Sequence, residues 1–173
     1  IYKILSSEVD SHPILKEIEI AKVAVKDLNK KRNIELDNNL LTDDPFKLIN
    51  DPSIDVIVEV MGGVDLAKDI ILQSLKLGKS VVTANKAVIA RYGEEIYKTA
   101  SKEGVYILSE AAVCGGIPII EPLKRSLKSN SIKKMVGIIN GTTNFILSKM
   151  ANEKADYKET LKLAQSLGYA ELD

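Results

Sequence analysis

A lysine stands where a short β-branched run gives way to a helical pattern, in the stretch SVVTANKAVIA from Ser80 to Ala90. Thr83 and Asn85 precede Lys86, so two polar side chains and one ammonium group follow a predicted strand. A lysine at a helix start is unfavourable by about 0.5 kcal/mol, because the helix dipole already places positive charge there. A bound anion or polar substrate would explain Lys86, and a lysine that simply points to water is the alternative.

Two glycines, Gly62 and Gly63, end an earlier apolar run, IDVIVEV. Glycine adopts positive φ and lets a ligand approach the backbone closely, which suits a binding site at the end of a strand. A plain tight turn needs the same residues, so this pair is a weak signal by itself.

Charges of both signs follow another predicted strand, in the stretch VKDLNKKR. An acidic residue at such a place accepts hydrogen bonds from the ribose diol of NAD, whereas basic residues pair with the 2′-phosphate of NADP. Asp27 stands against Lys30, Lys31 and Arg32. The balance favours NADP, with Lys30 and Arg32 as candidate ligands, and a solvated charged loop is the alternative.

One carboxylate and several small residues occur together in SEAAVCGGIPII, where Glu110 is followed by Gly115 and Gly116. Such a segment can curl so that its carbonyl oxygens face inward beside the carboxylate. Ligands that are all oxygen suit a hard cation such as Na⁺, K⁺ or Mg²⁺. A tight turn that leads into Ile117-Pro118 is the alternative.

Composition excludes several classes of protein. The 173 residues carry 24 basic and 24 acidic side chains, a balance that argues against a nucleic-acid partner. No apolar run approaches the ~18 residues of a membrane span. The single cysteine, Cys114, forms no internal disulfide, which fits a reducing, cytoplasmic environment. With one histidine, His12, a zinc site or a Ser-His-Asp site is not expected.

Short apolar strands that alternate with amphipathic helices must position these candidate residues. This order is typical of right-handed crossovers and of a parallel sheet, whose ligands lie at the carboxyl ends of the strands. The predicted fold class is therefore α/β, with a doubly wound, Rossmann-type sheet. Strands are expected over 17–25, 54–60, 80–84, 105–110 and 131–140, and helices over 1–7, 45–51, 64–77, 85–104, 117–129, 141–153 and 157–168.

The glycine-rich turn of a dinucleotide fold is missing from the sequence. None of the ten glycines forms the pattern Gly-x-Gly-x-x-Gly, and the chain starts in what would be the helix after that turn. We therefore expect a strand and the glycine turn, about 10–20 residues, to precede Ile1 in the intact protein. The Rossmann-type sheet is truncated in this sense.

Five stretches of the sequence together resemble the homoserine dehydrogenase family: DVIVEVMGG, KSVVTANKAVIA, YILSEAAVCGGIPII, GIINGTTNFILSKM and LGYAELD. They cover most of residues 55–173, whereas the first 50 residues match the family only loosely. The resemblance implies interconversion of L-homoserine and aspartate-4-semialdehyde with NAD or NADP, on the route to threonine, methionine and isoleucine. It also implies a homodimer, whereas the composition indicates a cytoplasmic protein with no nucleic-acid or membrane partner.

The resemblance also assigns roles to individual residues. Lys86 matches the family's lysine at the junction of cofactor and substrate and is the candidate catalytic residue. The place of Gly62, Thr83 and Asn85 at the ends of the predicted strands makes them candidate cofactor-binding residues. Gly168 matches a cofactor contact, and Glu171 matches the position that binds the amino group of the substrate. A monovalent cation, Na⁺ or K⁺, would be bound by the carboxylate of Glu110 and by the main-chain oxygens of Val113, Gly115 and Ile117.

Two domains are implied by the same resemblance. Residues 1–113 would form the NAD(P)-binding domain, and residues 114–173 would begin an α+β catalytic and dimerisation domain. The family's Asp and Lys that act on the substrate hydroxyl would lie beyond Asp173, so we expect the chain as given to be catalytically inactive. The alternatives are another Rossmann-type amino-acid dehydrogenase and a non-catalytic module that binds a nucleotide or another subunit. An aspartate kinase fused in front is a further possibility.

Overall fold

The computed structural model describes residues 1–7, 13–34 and 36–170, and the chain divides into two compact units, Ile1–Arg125 and Ser126–Asp173. The predicted domain boundary after residue 113 stays a prediction. The helices and strands of the first unit are α1 (Tyr2–Ser7), β1 (Val23–Ala24), β2 (Leu41–Thr42), α2 (Phe46–Ile49), β3 (Val56–Glu59), α3 (Asp65–Lys76), β4 (Ser80–Thr83), α4 (Lys86–Glu103) and β5 (Ile107–Leu108), with shorter 3₁₀ turns at Pro13–Glu17, Asn38–Leu40 and Glu110–Ala112.

Every strand pair in the first unit is parallel. One sheet has the order β3-β4-β5, and a smaller sheet pairs β1 with β2. Parallel neighbours require a crossover, and α3 and α4 supply the two crossovers of the larger sheet. The predicted parallel α/β architecture of Rossmann type is therefore confirmed.

The hydrophobic core lies between the larger sheet and the two long helices. Ile57 and Val81 point from the strands into this core, and Ile71 of α3 and Ile96 of α4 meet them there. Side chains alternate along β3, so Val56 and Val58 lie on the opposite face of the sheet and are about half exposed. Because α3 and α4 both cover the buried face of the sheet, they also pack against each other.

The ends of the long helices follow from local sequence. Asn85 caps α4, since its side-chain oxygen accepts a hydrogen bond from the main-chain N–H of Val88 at 3.1 Å. Gly104 ends the same helix with φ of 69°, a left-handed conformation that glycine adopts without steric cost. The predicted helix over 85–104 is therefore confirmed almost to the residue.

Several predictions for the first unit need correction. The strand expected over 105–110 is limited to Ile107–Leu108. The strand expected over 17–25 is limited to Val23–Ala24, since Glu17 ends a 3₁₀ turn and residues 18–22 form no regular structure. The two-residue strand Leu41–Thr42 was not predicted, because a strand of that length shows no alternation. The helix expected over 117–129 is limited to residues 120–126, of which Pro122–Ser126 form a π-helix.

The second unit contains two helices, α5 (Gly141–Glu153) and α6 (Tyr157–Ser166), which pack against each other. The strand expected over 131–140 is wrong, because these residues form no regular structure and are exposed. A strand needs a partner to satisfy its main-chain groups, and residues 126–170 contain no other strand. In the described part of the chain, no helix has the length and apolar character that a membrane span requires.

Candidate functional site

The side chain of Asn85 joins the turn after β3 to the start of α4. Its amide nitrogen donates hydrogen bonds to the main-chain oxygens of Gly63 at 2.8 Å and Met61 at 3.3 Å. The amide oxygen caps the helix at Val88. The pairs Gly62-Gly63 and Asn85-Lys86, which the sequence predicts to share one edge of the sheet, are thus brought together in the structure.

A buried carboxylate lies directly below this edge. Glu59 and Thr83 are opposite each other in the β3-β4 register and are 2% and 1% exposed. The Thr83 hydroxyl donates to Glu59 Oε2 at 2.5 Å, and the main-chain N–H of Met61 donates to Oε1 at 2.8 Å. Thr83 Oγ1 also accepts a hydrogen bond from the N–H of Asn85 at 3.0 Å. A cofactor contact by Thr83 would therefore have to come from its main chain.

Glu59 was not identified from the sequence. The available signal is its phase, because Glu59 stands two residues after Ile57 and so shares the buried face of β3. An acidic residue on the buried face of an apolar strand costs free energy unless it is hydrogen-bonded. Its presence there therefore predicts hydrogen-bond donors nearby.

Lys86 and Gly62 lie on the solvent side of the edge. Lys86 is the first residue of α4 and is exposed. A Cβ built on Gly62 would meet no heavy atom within 4 Å, and Gly63 next to it has φ of 83°. The structure therefore leaves open space above the main chain at the end of β3, as a bound planar group requires.

The predicted phosphate-binding residues line a separate pocket at the end of β1. Its volume is about 620 Å³, and Asp27, Lys30 and Arg32 contribute to its wall together with Val25 and Lys26. The Arg32 guanidinium donates to the main-chain oxygens of Asp27 at 2.6 Å and Lys30 at 2.9 Å. Arg32 thus shapes the loop, whereas Lys30 is exposed at its surface.

The Glu110 carboxylate binds the main chain of a following turn. Its Oε1 accepts hydrogen bonds from the N–H groups of Ile119 and Ile120, the latter at 2.9 Å, and its Oε2 accepts one from Glu121 at 2.9 Å. Burial by itself would raise the pKa of Glu110. The three N–H donors and the positive charge of Lys124 outweigh that effect and lower the pKa below its usual value.

The other predicted cation ligands lie on a loop with unusual backbone angles. Cys114 and Gly115 have φ of 57° and 60°, so the chain turns sharply between Val113 and Ile117. In the described residues, the main-chain oxygens of Val113, Gly115 and Ile117 accept no backbone hydrogen bond. Main-chain oxygens and a carboxylate are ligands of the kind that a hard cation takes. Within the same residues, no group of three or more His, Cys, Asp or Glu side chains is placed to hold a metal.

The remaining site residues belong to the second unit or fall outside the described residues. Gly168 follows α6 with φ of 75°, and its N–H donates to the oxygen of Gln165 at 3.0 Å. Glu171 and His12 lie outside the described residues. This unit also has a groove of about 550 Å³, which is lined by Gly141, Thr142, Asn144, Phe145, Ser148, Lys149, Asn152, Glu153 and Tyr169.

Curated proteins of similar sequence share one name, homoserine dehydrogenase. A curated homoserine dehydrogenase from Synechocystis sp. is 53% identical over 171 residues, which are 99% of this chain and 40% of that protein. One from Bacillus subtilis is 47% identical, with all of this chain and 40% of that protein covered. The chain therefore spans about 40% of the length of these curated relatives.

Solved structures give the same result. A homoserine dehydrogenase from Thiobacillus denitrificans superposes with a TM-score of 0.80 at 47% identity, over 88% of this chain and 35% of that one. A hyperthermophilic archaeal homoserine dehydrogenase in complex with NADPH superposes with a TM-score of 0.67 at 34% identity, over 75% and 40% of the two chains.

Two family models divide the chain between them. The model described as the NAD-binding domain of homoserine dehydrogenase matches residues 2–110, and the model described as homoserine dehydrogenase matches residues 118–173. The first match contains the edge formed by β3, β4 and α4, and the second contains α5 and α6. The chain belongs to the homoserine dehydrogenase family.

Proposed function

We propose that the protein containing this chain interconverts L-homoserine and L-aspartate-4-semialdehyde with NAD or NADP as the redox partner. This proposal rests on one observation at the carboxyl edge of the larger sheet. The Asn85 side chain hydrogen-bonds to Gly63 and Met61 and so connects the turn after β3 to the start of α4, the helix that begins with Lys86. The reaction would take place in the cytoplasm, on the route to threonine, methionine and isoleucine, and the protein would be a homodimer.

Each residue of the edge has a proposed part in binding. The nicotinamide, when bound, supplies the hydride chemistry. Gly62 leaves room for the flat ring, Asn85 fixes the position of the turn below it, and the main chain of Thr83 would contact the cofactor. Lys86 holds the substrate oxygen or orients the ring. In the second unit Gly168 would contact the cofactor, and Glu171 would bind the substrate amino group.

Purified full-length protein tests the activity directly. We expect NADP⁺ or NAD⁺ reduction that depends on L-homoserine, and we expect Lys86→Ala to lower kcat by about 100-fold, a loss typical of a removed acid–base or orienting group. Lys102→Ala is the matched control, because it removes the same charge from the opposite end of the same helix. A Lys86→Ala enzyme with normal kcat would remove Lys86 from the mechanism.

The alternatives are separated by the same preparation. Turnover with another amino acid and none with homoserine would identify a different Rossmann-type dehydrogenase. Neither turnover nor dinucleotide binding would identify a non-catalytic module. We propose further that the 173 residues by themselves lack turnover, since they match only about 40% of the curated relatives, and the same assay on this polypeptide tests that statement.

The dinucleotide preference is proposed to be NADP. Support comes from the pocket at the end of β1, where Arg32 stabilises the loop and Lys30 is exposed to receive a 2′-phosphate. Lys30→Ala should raise the KM for NADP⁺ and leave that for NAD⁺ nearly unchanged. Lys31→Ala is the control, because it removes an adjacent charge that does not line the pocket. Equal effects of the two variants on both cofactors would contradict the assignment.

A monovalent cation, Na⁺ or K⁺, is proposed to bind the loop over residues 110–117. Glu110 would supply a carboxylate oxygen, and Val113, Gly115 and Ile117 would supply main-chain oxygens. Replacing K⁺ and Na⁺ by choline at constant ionic strength should then lower the thermal stability and the activity of the full-length enzyme. Equal stability and activity in all three salts would argue against the site.

A further inference from the structure

Glu59 is a buried acid at the carboxyl end of β3 that has no part in the proposed chemistry. Its side chain is 2% exposed, and both carboxylate oxygens accept hydrogen bonds. One donor, the N–H of Met61, belongs to the turn after β3, and the other, the hydroxyl of Thr83, belongs to the end of β4. A single carboxylate thus connects the two strand ends that form the candidate edge.

The connection continues to the helix that carries Lys86. Thr83 uses its one O–H on Glu59, so its oxygen is correctly oriented to accept the hydrogen bond from the N–H of Asn85. Asn85 in turn caps α4 and returns to the β3 turn at Gly63. The hydrogen bonds form a closed circuit through two strands, one turn and one helix start.

We propose that Glu59 is a positioning residue for the dinucleotide edge, which acts through Thr83 and Asn85 to fix the place of Lys86 relative to Gly62. The inference rests on the proposed function, since Lys86 must act on the cofactor or substrate for its position to affect the rate. The chemical requirement is specific. Two donors, the N–H of Met61 and the hydroxyl of Thr83, each need an acceptor oxygen. Among side chains of this shape, a carboxylate has two such oxygens, whereas an amide has one.

Substitutions at the two ends of the Glu59–Thr83 hydrogen bond separate this role from a simple contribution to folding. Glu59→Gln keeps the shape but replaces one acceptor by an NH₂ group, so either the Thr83 hydroxyl or the Met61 N–H loses its partner. Thr83→Val removes the hydroxyl at nearly constant volume, whereas Thr83→Ser retains it. Ser74→Ala is the matched control, because Ser74 is fully buried and its hydroxyl donates to the oxygen of Ile70, at 2.6 Å, within α3.

We expect Glu59→Gln and Thr83→Val to lower kcat of the full-length enzyme by about 10- to 100-fold, as misplacement of a catalytic group does, with a smaller change in the KM for homoserine. Ser74→Ala should stay close to wild type, and Thr83→Ser should lose less activity than Thr83→Val, because it retains the hydroxyl. In a Lys86→Ala background, Glu59→Gln should cause little further loss, because its effect passes through Lys86. Thermal melts verify folding, and Thr83→Val decides the question if Glu59→Gln does not fold.

Wild-type kcat in folded Glu59→Gln and Thr83→Val enzymes would overturn the inference. So would a loss no larger than that of Ser74→Ala, or a loss that is fully additive with Lys86→Ala. Absence of turnover in the wild-type enzyme would instead overturn the proposed function. NADPH binding by fluorescence would then decide the inference, since Thr83→Val should weaken binding more than Thr83→Ser does.

Discussion

The side-chain nitrogen of Asn85 donates a hydrogen bond of 2.8 Å to the main-chain oxygen of Gly63, 22 residues earlier in the chain. This contact attaches a glycine turn, which has few side-chain contacts of its own, to the rigid start of α4. The Asn85 amide therefore helps to fix the turn relative to the helix, together with the hydrogen bond from the N–H of Met61 to Glu59.

Replacing that amide by a carboxylate tests the attachment. Asn85→Asp keeps the oxygen that caps α4 but loses the donor to Gly63 and Met61, so we expect a loss of about 1–3 kcal/mol in the free energy of unfolding. Asn140→Asp is the control, because Asn140 caps α5 through its oxygen at 2.9 Å in the same way, and it should be nearly neutral. Urea unfolding of both variants measures the difference. Equal effects would show that Asn85 acts as a cap only.

Gly62→Ala tests whether a ligand approaches the end of β3. The added methyl group meets no atom of the chain within 4 Å, and Gly62 does not have positive φ. The free energy of unfolding should change by less than about 1 kcal/mol, whereas dinucleotide affinity should fall because the methyl group occupies the space of the ligand. Gly137→Ala, which is equally open, controls for the substitution itself. Unchanged affinity in Gly62→Ala would place the nicotinamide elsewhere.

Replacement by alanine should change the free energy of unfolding in opposite directions at Gly93, inside α4, and at Gly104, directly after it. Gly93 is inside the helix, and a Cβ there would meet Ile89 at 3.7 Å in ordinary contact, so Gly93→Ala should stabilise the protein by about 0.5–1 kcal/mol. Gly104 has φ of 69°, so Gly104→Ala should destabilise it by about 1–2 kcal/mol. Thermal unfolding of the pair gives both values. A destabilising Gly93→Ala would indicate that another surface packs closely against this helix.

The lowered pKa of Glu110 predicts a pH dependence of stability. The carboxylate is favoured in the folded state, so its contribution is complete above the ordinary value of 4.5 and is lost as pH falls through the lower, folded pKa. Glu110→Gln should therefore be less stable than wild type at neutral pH, and the difference should shrink in acid. Glu153→Gln, which removes an exposed partner of Lys149, should differ from wild type by less than about 1 kcal/mol at every pH. A gap for Glu110→Gln that is constant with pH would contradict the assignment.

The larger sheet was predictable because its signals are local. Each strand is a short apolar run that ends in small or polar residues, and Gly78 and Gly104 follow α3 and α4 where the chain must turn with positive φ. The strand Leu41–Thr42 was not predictable, since it is defined by its partner β1 rather than by its own pattern.

The candidate site was predictable in its positions but not in its connections. The sequence places Asn85 and Lys86 after a strand, whereas the hydrogen bonds from the Asn85 amide to the main-chain oxygens of Met61 and Gly63 are seen only in the structure. The role of Thr83 could not be inferred without the register that sets it opposite Glu59. Likewise, the sequence shows Glu110 as an acid near small residues, whereas its bonds to three N–H groups depend on the path of the following turn.

The strand β3 carries two exposed valines, Val56 and Val58, which are 49% and 45% exposed and affect how the polypeptide behaves at high concentration. Within the described residues β3 pairs only with β4, so the main-chain groups on its other side can receive a strand from a second molecule. β-Branched side chains favour such pairing. A concentrated solution of these 173 residues by themselves should therefore form soluble aggregates rich in intermolecular β-structure. Val58→Lys should suppress them in light scattering, while Lys102→Ala should not.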